Sequence, residues 1–407
     1  MSISAKIKSA MTQSSWIRKM FEEGARLKGQ YGADQVFDFS LGNPNLPPPA
    51  RFSEALRRTV AGLGPGDHGY MPNNGYPRTR QAVADTVSRE QETPLTANEV
   101  IMTCGAAGAL NVIFKTILDP GDEVITPSPF FVEYGAYVDN HGGVLRTVPT
   151  RADFALDPAA VAAAITAKTK AVLINSPNNP TGQVYSESSL KELAKALESA
   201  GRTWNRTLYL IADEPYRKIV YDGVRVPGIL PLYPESIVVS SYSKDISIPG
   251  ERLGFAAVHP RAADHDDLLA GMAMTNRTLG YVNAPALMQR VMAEVQGAGV
   301  DASLYARKRD LLCAGLAKAG YEFTKPAGAF YLFPKSPDPD EVAFVRVLQE
   351  ERILVVPGRG FGAPGYFRIA YCVSDETITG ALPGFERAIR KQRNEVPGRG
   401  TPGNAPL

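Results

Sequence analysis

The sequence predicts an α/β protein: a mainly parallel seven-stranded sheet with helices on both faces, plus a smaller α+β domain. Three observations carry that prediction. Apolar residues switch repeatedly between short β-rich runs and longer stretches of helical period. Strand-like and helix-like segments alternate through the first three quarters of the chain, the pattern of βαβ units. From about residue 300 the order changes to a long helix, three short strand-like runs and a final helix.

The predicted strands are "EVIMTC" (99–104), "DEVITP" (122–127), "GVLRTV" (143–148), "KAVLIN" (170–175), "LYLIAD" (208–213), "SIVVSS" (236–241) and "RLGFAAV" (252–258). Between them, "AAGALNVIFKTIL" (106–118) and "SESSLKELAKALESAG" (186–201) have helical period, the second opening on a serine and closing on a glycine. The last two strands are joined by a loop too short for a crossover helix, which predicts one antiparallel pair. Four segments are expected: 1–47, an N-terminal arm with part of a small domain; 48–298, a large ligand-binding domain; 299–394, a small C-terminal domain with "AGAFYLFP", "RILVVPG" and "GYFRIAY"; and 395–407, a disordered tail rich in Pro and Gly.

Composition bounds the function. The 407 residues are 44% hydrophobic and 21% charged, globular values. Lys+Arg 44 against Asp+Glu 42 leaves a net charge of +2 without runs of like charge, which points to neither nucleic acid nor an anionic membrane as partner. No signal-peptide core or membrane-length apolar run is present, so a cytoplasmic protein is expected. Cys104, Cys313 and Cys372 lack CxxC spacing; buried free thiols are expected, and no metal site.

Ligands of such sheets bind at the carboxyl ends of the strands. After the first strand, "CGAAGALN" opens a helix with small residues, so that the backbone at Gly105, Ala106 and Ala107 can receive an anion. After the fourth comes "SPNNPTG" (176–182), a tight turn carrying Asn179 at the carboxyl edge of the sheet. Asp213 ends the fifth, with Tyr216 three residues on. After the sixth, "SYSKDISIPGERLGF" (241–255) places Lys244 among hydroxyls and before a Pro-Gly-x-Arg turn. Taken singly, the first three of these are a packed helix start, a plain turn and a helix cap. Together they describe a site for pyridoxal 5′-phosphate: an amine to bond an aldehyde, a phosphate cradle and an acid for a pyridinium nitrogen.

With these motifs in this order, the chain resembles the fold-type I pyridoxal-phosphate enzymes, and within them the class I/II aminotransferases of the aspartate aminotransferase kind. The family's SxSKxxxxPGxRxG pattern is met by Ser241, Ser243, Lys244, Pro249, Gly250, Arg252 and Gly254, and the resemblance runs from "FSLGNPN" (39–45) to "YFRIAY" (366–371). It implies that Lys244 binds the cofactor and moves the proton, that Asp213 pairs with the ring nitrogen, and that Asn179 and Tyr216 bond the ring oxygen. Ser241, Ser243, Arg252, Gly105, Ala106 and Ala107 would hold the phosphate. In "SPFFVEY", Phe131 or its neighbour Phe130 would stack on the ring. Tyr70, in "HGYMPNNGY", would reach the phosphate of the neighbouring subunit, which implies a homodimer. Arg368 in "YFRIAY" would grip the substrate α-carboxylate, with Gly42 closing over it. The residues before "FSLGNPN" offer no basic recognition helix, which speaks against a DNA-binding sensor on this fold.

The implied reaction is amino transfer from an L-amino acid to a 2-oxo acid with ping-pong kinetics; the alternatives are transfer from aromatic or small neutral amino acids, or a lyase on the same fold. Aspartate or another acidic donor, with 2-oxoglutarate as acceptor, requires a second cation for the distal carboxylate. Arg277, in "TNRTLGYVNAP", and Lys115, on the helix after the phosphate loop, are the two candidates, each with a plain surface charge as its other reading.

Overall fold

The structure, a computed structural model, describes residues 3–12 and 16–395. The tail expected at 395–407 lies outside the described residues except for Glu395, which closes the last helix, Asp375–Glu395. In chain order the strands are β1 Phe37–Asp38, β2 Val100–Thr103, β3 Glu123–Ser128, β4 Val144–Pro149, β5 Thr169–Asn175, β6 Tyr209–Asp213, β7 Ser236–Ser241, β8 Gly254–Val258, β9 Tyr331–Leu332, β10 Ile353–Leu354, β11 Val356–Pro357 and β12 Phe367–Ala370.

Two compact units divide the chain. One comprises Asn43–Tyr305 with Pro326–Phe330; the other comprises the residues up to Gly42, Ala306–Lys325 and those from Tyr331 on. The bounds expected at 47/48 and 298/299 differ from these, and a linear reading has no means of finding the short return at 326–330. Long-range pairing assigns that segment: Gly328 bridges Val220, and the Ala327 N–H donates to the Gly182 carbonyl at 2.9 Å.

In the larger unit the sheet order is β2-β8-β7-β6-β5-β3-β4. Every neighbouring pair is parallel except those of β8, which runs antiparallel to both β7 and β2. The expected antiparallel pair therefore becomes two, because β8 is inserted between β7 and β2. Successive side chains of a strand point to opposite faces, and here they enter two separate cores. Met102, Val172, Ile174, Leu210, Ala212, Val238 and Ala257 join one; Ile101, Ala171, Leu173, Ile211, Ile237, Val239 and Ala256 join the other. Both faces are thus covered, which explains why these strands read as nearly continuous apolar runs.

The helix Glu187–Trp204 starts at the expected serine, Ser186, whose hydroxyl caps the Ser189 N–H. It does not close at Gly201. It runs one turn further, and Asn205 takes the left-handed conformation (φ 45°) that ends it, a role asparagine fills almost as well as glycine.

In the smaller unit β11, β12 and β9 form an antiparallel sheet and β1 pairs in parallel with β10, so the N-terminal segment contributes a strand of its own. Tyr321, Phe344, Phe367 and Phe385 pack edge-on or tilted around one another, with centroids 5.7–6.1 Å apart. Among the described residues no helix is long and apolar enough to cross a membrane. No disulfide joins the cysteines; Cys313 and Cys372 are buried as expected, but Cys104, at the start of the helix Gly105–Ile117, is only half-buried.

Candidate active site

The carboxyl ends of β2, β5, β6 and β7 each deliver one of the expected motifs, all within the larger unit. Asp213 is the last residue of β6 and is 6% exposed. Its Oδ2 accepts the Tyr134 hydroxyl at 2.5 Å, while Oδ1 is buried without a hydrogen-bond partner. Burial pushes this carboxyl up to about 7; the Tyr134 hydrogen bond pulls the other way, and Glu214 adds to the rise. Tyr134 keeps its proton, its hydroxyl held far above the ordinary range by burial and by Asp213.

Asn175 ties the ends of two strands together. Its amide donates to the Asp213 carbonyl at 2.7 Å, and its Oδ1 accepts the Asn179 N–H at 2.7 Å. Asn179 is buried after β5 and precedes a cis Pro180. Tyr216, also buried, meets Phe330 edge-on at 5.4 Å, and the Lys244 Nζ lies 5.8 Å from the centroid of the same ring. Tyr216 and Lys244 thus converge on one aromatic surface. Lys244 is half-buried in the turn after β7, flanked by buried Ser241 and Ser243.

At the carboxyl end of β2 the helix Gly105–Ile117 begins with Gly105 at φ +73°. A Cβ there would lie 2.9 Å from Arg252 Nη2, so only glycine lets the guanidinium approach the first turn. Ala106 and Ala107 follow, half-buried. An arginine beside a helix start of free N–H groups is a cradle for a dianion. Phe131 is half-buried and meets the ring of Tyr134 edge-on at 5.5 Å, which puts it next to the Asp213 pair; Phe130 also packs on the core beside it. Tyr70 belongs to the same unit and is 92% exposed.

Lys115 is corrected as a candidate for this site. It lies exposed in the last turn of the helix that Gly105 opens, about 15 Å along the axis from the anion cradle, and faces His141, whose imidazole it helps to hold below the ordinary value after burial. Arg277 is exposed in the last turn of the helix His265–Thr278.

In the smaller unit Arg368, on β12, is 2% exposed. Its guanidinium carbon is 4.7 Å from the ring centroids of both Tyr331 and Phe361, and Nη2 donates to the Ser40 carbonyl at 2.6 Å. Ser40 is held in turn by Asp38, and Asp38 by Lys28. A Cβ on Gly42 would fall 2.0 Å from the Tyr331 hydroxyl oxygen.

A model of the family described as aminotransferase class I and II matches residues 34–384. The chain belongs to that family. Among similar proteins, the probable aspartate/prephenate aminotransferase of Thermus aquaticus is 37% identical over 369 residues, 88% of this chain and 92% of that one. The aspartate/prephenate aminotransferase of Thermus thermophilus is 36% identical over 376 residues, with the same coverage. Two solved structures share the fold: an amino transferase from Eubacterium rectale (TM-score 0.93, 39% identity, 96% of this chain and 99% of that one) and the aspartate aminotransferase of Thermus thermophilus with maleate (TM-score 0.84, 32% identity, 95% and 100%).

This class I/II aminotransferase is a transaminase of fold type I and uses pyridoxal 5′-phosphate. The residues fit the cofactor. The bare Asp213 Oδ1 lacks the donor that a pyridinium N–H provides, and the Arg252–Gly105 approach prepares the helix start for a phosphate. Three neighbours of the site escaped sequence reading. Tyr134 carried a faint signal, since a buried tyrosine hydroxyl needs a partner; Asn175 looked like a strand end, and Phe330 lies far along the chain with no spacing rule to link it to Lys244.

Proposed function

We propose that the protein transfers the amino group of an acidic L-amino acid, aspartate first, to a 2-oxo acid such as 2-oxoglutarate, working in the cytoplasm as a homodimer. The observation that carries the chemistry is the buried, half-satisfied Asp213 carboxylate on the strand next to the one that leads to Lys244. The printed names of the relatives support the substrate: aspartate recurs among them, and none of those named above is a lyase.

When bound, the cofactor supplies a positively charged conjugated ring that takes up the charge left on the α-carbon as its proton departs. Asp213 would receive the ring N–H on its bare Oδ1, and a cation there would pull its carboxyl back down from about 7 and keep it ionised. Lys244 takes the α-proton on its ε-amine and gives it back. Asn179 and Tyr216 would hold the ring oxygen, and Phe131 would cover the ring. Arg252, Ser241, Ser243 and the backbone of Gly105, Ala106 and Ala107 would hold the phosphate, with Tyr70 supplied by the partner subunit. Arg368, pinned between two rings, presents a fixed fork to the α-carboxylate. Donor and acceptor use these groups in turn, so the kinetics are ping-pong.

The test is a panel of amino donors and oxo-acid acceptors, prephenate included, scored by specificity constant in wild type, Arg277→Ala and Lys115→Ala. Aspartate should lead in wild type, and Lys115→Ala should leave the ranking unchanged. Neutral or aromatic donors outperforming aspartate, with Arg277→Ala indistinguishable from wild type, would overturn the acidic-substrate reading.

A further inference from the structure

Each of the two central residues is followed by a second acid: Glu214 after Asp213 and Asp245 after Lys244. Both acids are buried, and both line a small, partly open space of about 20 Å³ together with Glu90, Arg217, Lys218 and Tyr242. That volume holds one water molecule.

The groups around it form one network within the larger unit. Arg217 Nη1 donates to Glu214 Oε2 at 2.8 Å, and Gln91 Nε2 donates to the same oxygen at 3.0 Å. Arg217 also donates to the Glu90 carbonyl at 2.6 Å and lies 3.9 Å from its carboxylate. Lys218 Nζ is 3.2 Å from Asp245 Oδ2 and 3.7 Å from Glu90 Oε1. Asp245 Oδ1 is buried without a partner, and the Asp245 carbonyl accepts the Val300 N–H at 2.7 Å. Tyr242, facing Asp245 and Glu90, receives a hydrogen bond from Gln296 at 2.8 Å.

A buried ion network of this kind adds little net stability, because desolvation offsets the attraction, yet it is strongly directional. Here three acids meet two bases: Arg217 pairs with Glu214, Lys218 pairs with Asp245, and Glu90 lies further from both cations. Burial raises Asp245 to about 6 against the pull of Lys218; burial raises Glu214 as well. On Lys218, burial opposes the charge, but Asp245 and Glu90 together raise it.

We propose that Asp245, gripped by Lys218, which Glu90 also approaches, is a positioning residue that fixes the loop between β7 and β8 and so sets the place of the Lys244 ε-amine. This rests on Lys244 being the lysine that carries the cofactor. The network anchors the loop from behind the sheet's reactive edge, on the side where Lys218 and the helix Pro77–Gln91 supply the cation and the second acid. Loss of either end of the Asp245–Lys218 pair releases the same loop to the same relaxed position.

The experiment uses holoenzyme of wild type, Asp245→Asn, Lys218→Gln and Lys218→Arg, and reads kcat, KM for the amino donor and the pH midpoint of the cofactor's visible absorbance. A positioning role predicts that Asp245→Asn and Lys218→Gln move the midpoint in the same direction, by about half a pH unit or more. It also predicts that kcat falls on the order of tenfold to a hundredfold with KM nearly constant, and that Lys218→Arg restores both. Through-space charge alone would move the midpoint in opposite directions in the two variants, and that result overturns the proposal, as does no shift in folded protein. If Lys218→Gln fails to fold, the isosteric Asp245→Asn decides by itself: a folded variant with wild-type midpoint and kcat overturns it. Borohydride reduction of wild-type holoenzyme followed by peptide mapping separates the two assignments. A tag on Lys244 with unmoved midpoints removes only the role of Asp245, whereas a tag on another lysine overturns both.

Discussion

Tyr134 donates its hydroxyl to Asp213 Oδ2 at 2.5 Å and leaves the other oxygen of the same carboxylate buried and bare. One oxygen is therefore committed to the protein and one is reserved for a ligand. An unsatisfied buried acceptor costs about 1–3 kcal/mol, and a donor on the ligand would remove that cost here.

Asp213→Asn should lower kcat by several powers of ten, because an amide no longer holds the ring nitrogen as a cation. In cofactor-free protein the same substitution should change the pH dependence of stability. The folded Asp213 has its carboxyl raised from 3.8 to about 7, so between these values the folded chain binds more protons than the unfolded one. Its contribution is fully present below the unfolded value and is lost as pH rises through about 7. Thermal melts between about pH 5 and pH 8 should show wild type losing about 3 kcal/mol more than Asp213→Asn. Parallel curves would place the titration elsewhere.

Tyr134→Phe should leave the protein folded while baring both oxygens of Asp213. Without that hydrogen bond the carboxyl rises further. The acidic limb of the kcat profile should therefore move to higher pH, and kcat at neutral pH should fall about tenfold. An unmoved profile would show that the ring cation alone controls Asp213.

Gly42→Ala should act through Tyr331. The added methyl lies 2.0 Å from the Tyr331 hydroxyl oxygen, and that ring is one of the two that hold Arg368. The expected outcome is KM for the amino donor raised about tenfold, with the absorbance of the bound cofactor unchanged. Unchanged kinetics would mean that Tyr331 yields without disturbing the guanidinium.

Tyr70 is 92% exposed in the single chain, where a second chain could receive it. Tyr70→Ala and Lys244→Ala should each be nearly inactive alone. A hybrid dimer of the two should regain activity at the one site that combines an intact Lys244 with the partner's Tyr70. Hybrids without activity, formed under conditions where wild-type subunits exchange, would assign Tyr70 to its own chain or to no site.

Much of this protein was legible without coordinates. The seven central strands follow from local apolar runs, because a strand covered on both faces needs nothing but apolar residues to declare itself. The motif residues Gly105, Asn179, Asp213 and Lys244 were legible because strand ends in such sheets are where ligands bind, so sequence position implies place. Helix ends were less so: Gly201 looked like a terminus, but Asn205 in the left-handed conformation does that work one turn later.

What only the tertiary structure decided concerns partners distant in sequence. Phe330 meets Lys244 and Tyr216 from a segment that joins the larger unit through pairing with Val220, and no local period encodes that pairing. Lys115 and Gly105 share one helix, yet the rise of the helix carries the lysine to the wrong end of it. Asp245 carries no signal in the sequence, because Lys218, which grips it, and Glu90, which approaches that lysine, come from other parts of the chain. Strand runs and turn residues are fixed by interactions between near neighbours, so the sequence alone determined the sheet and its reactive edge. The second partner of each buried charge comes from another element of the chain, and folding alone brings it there.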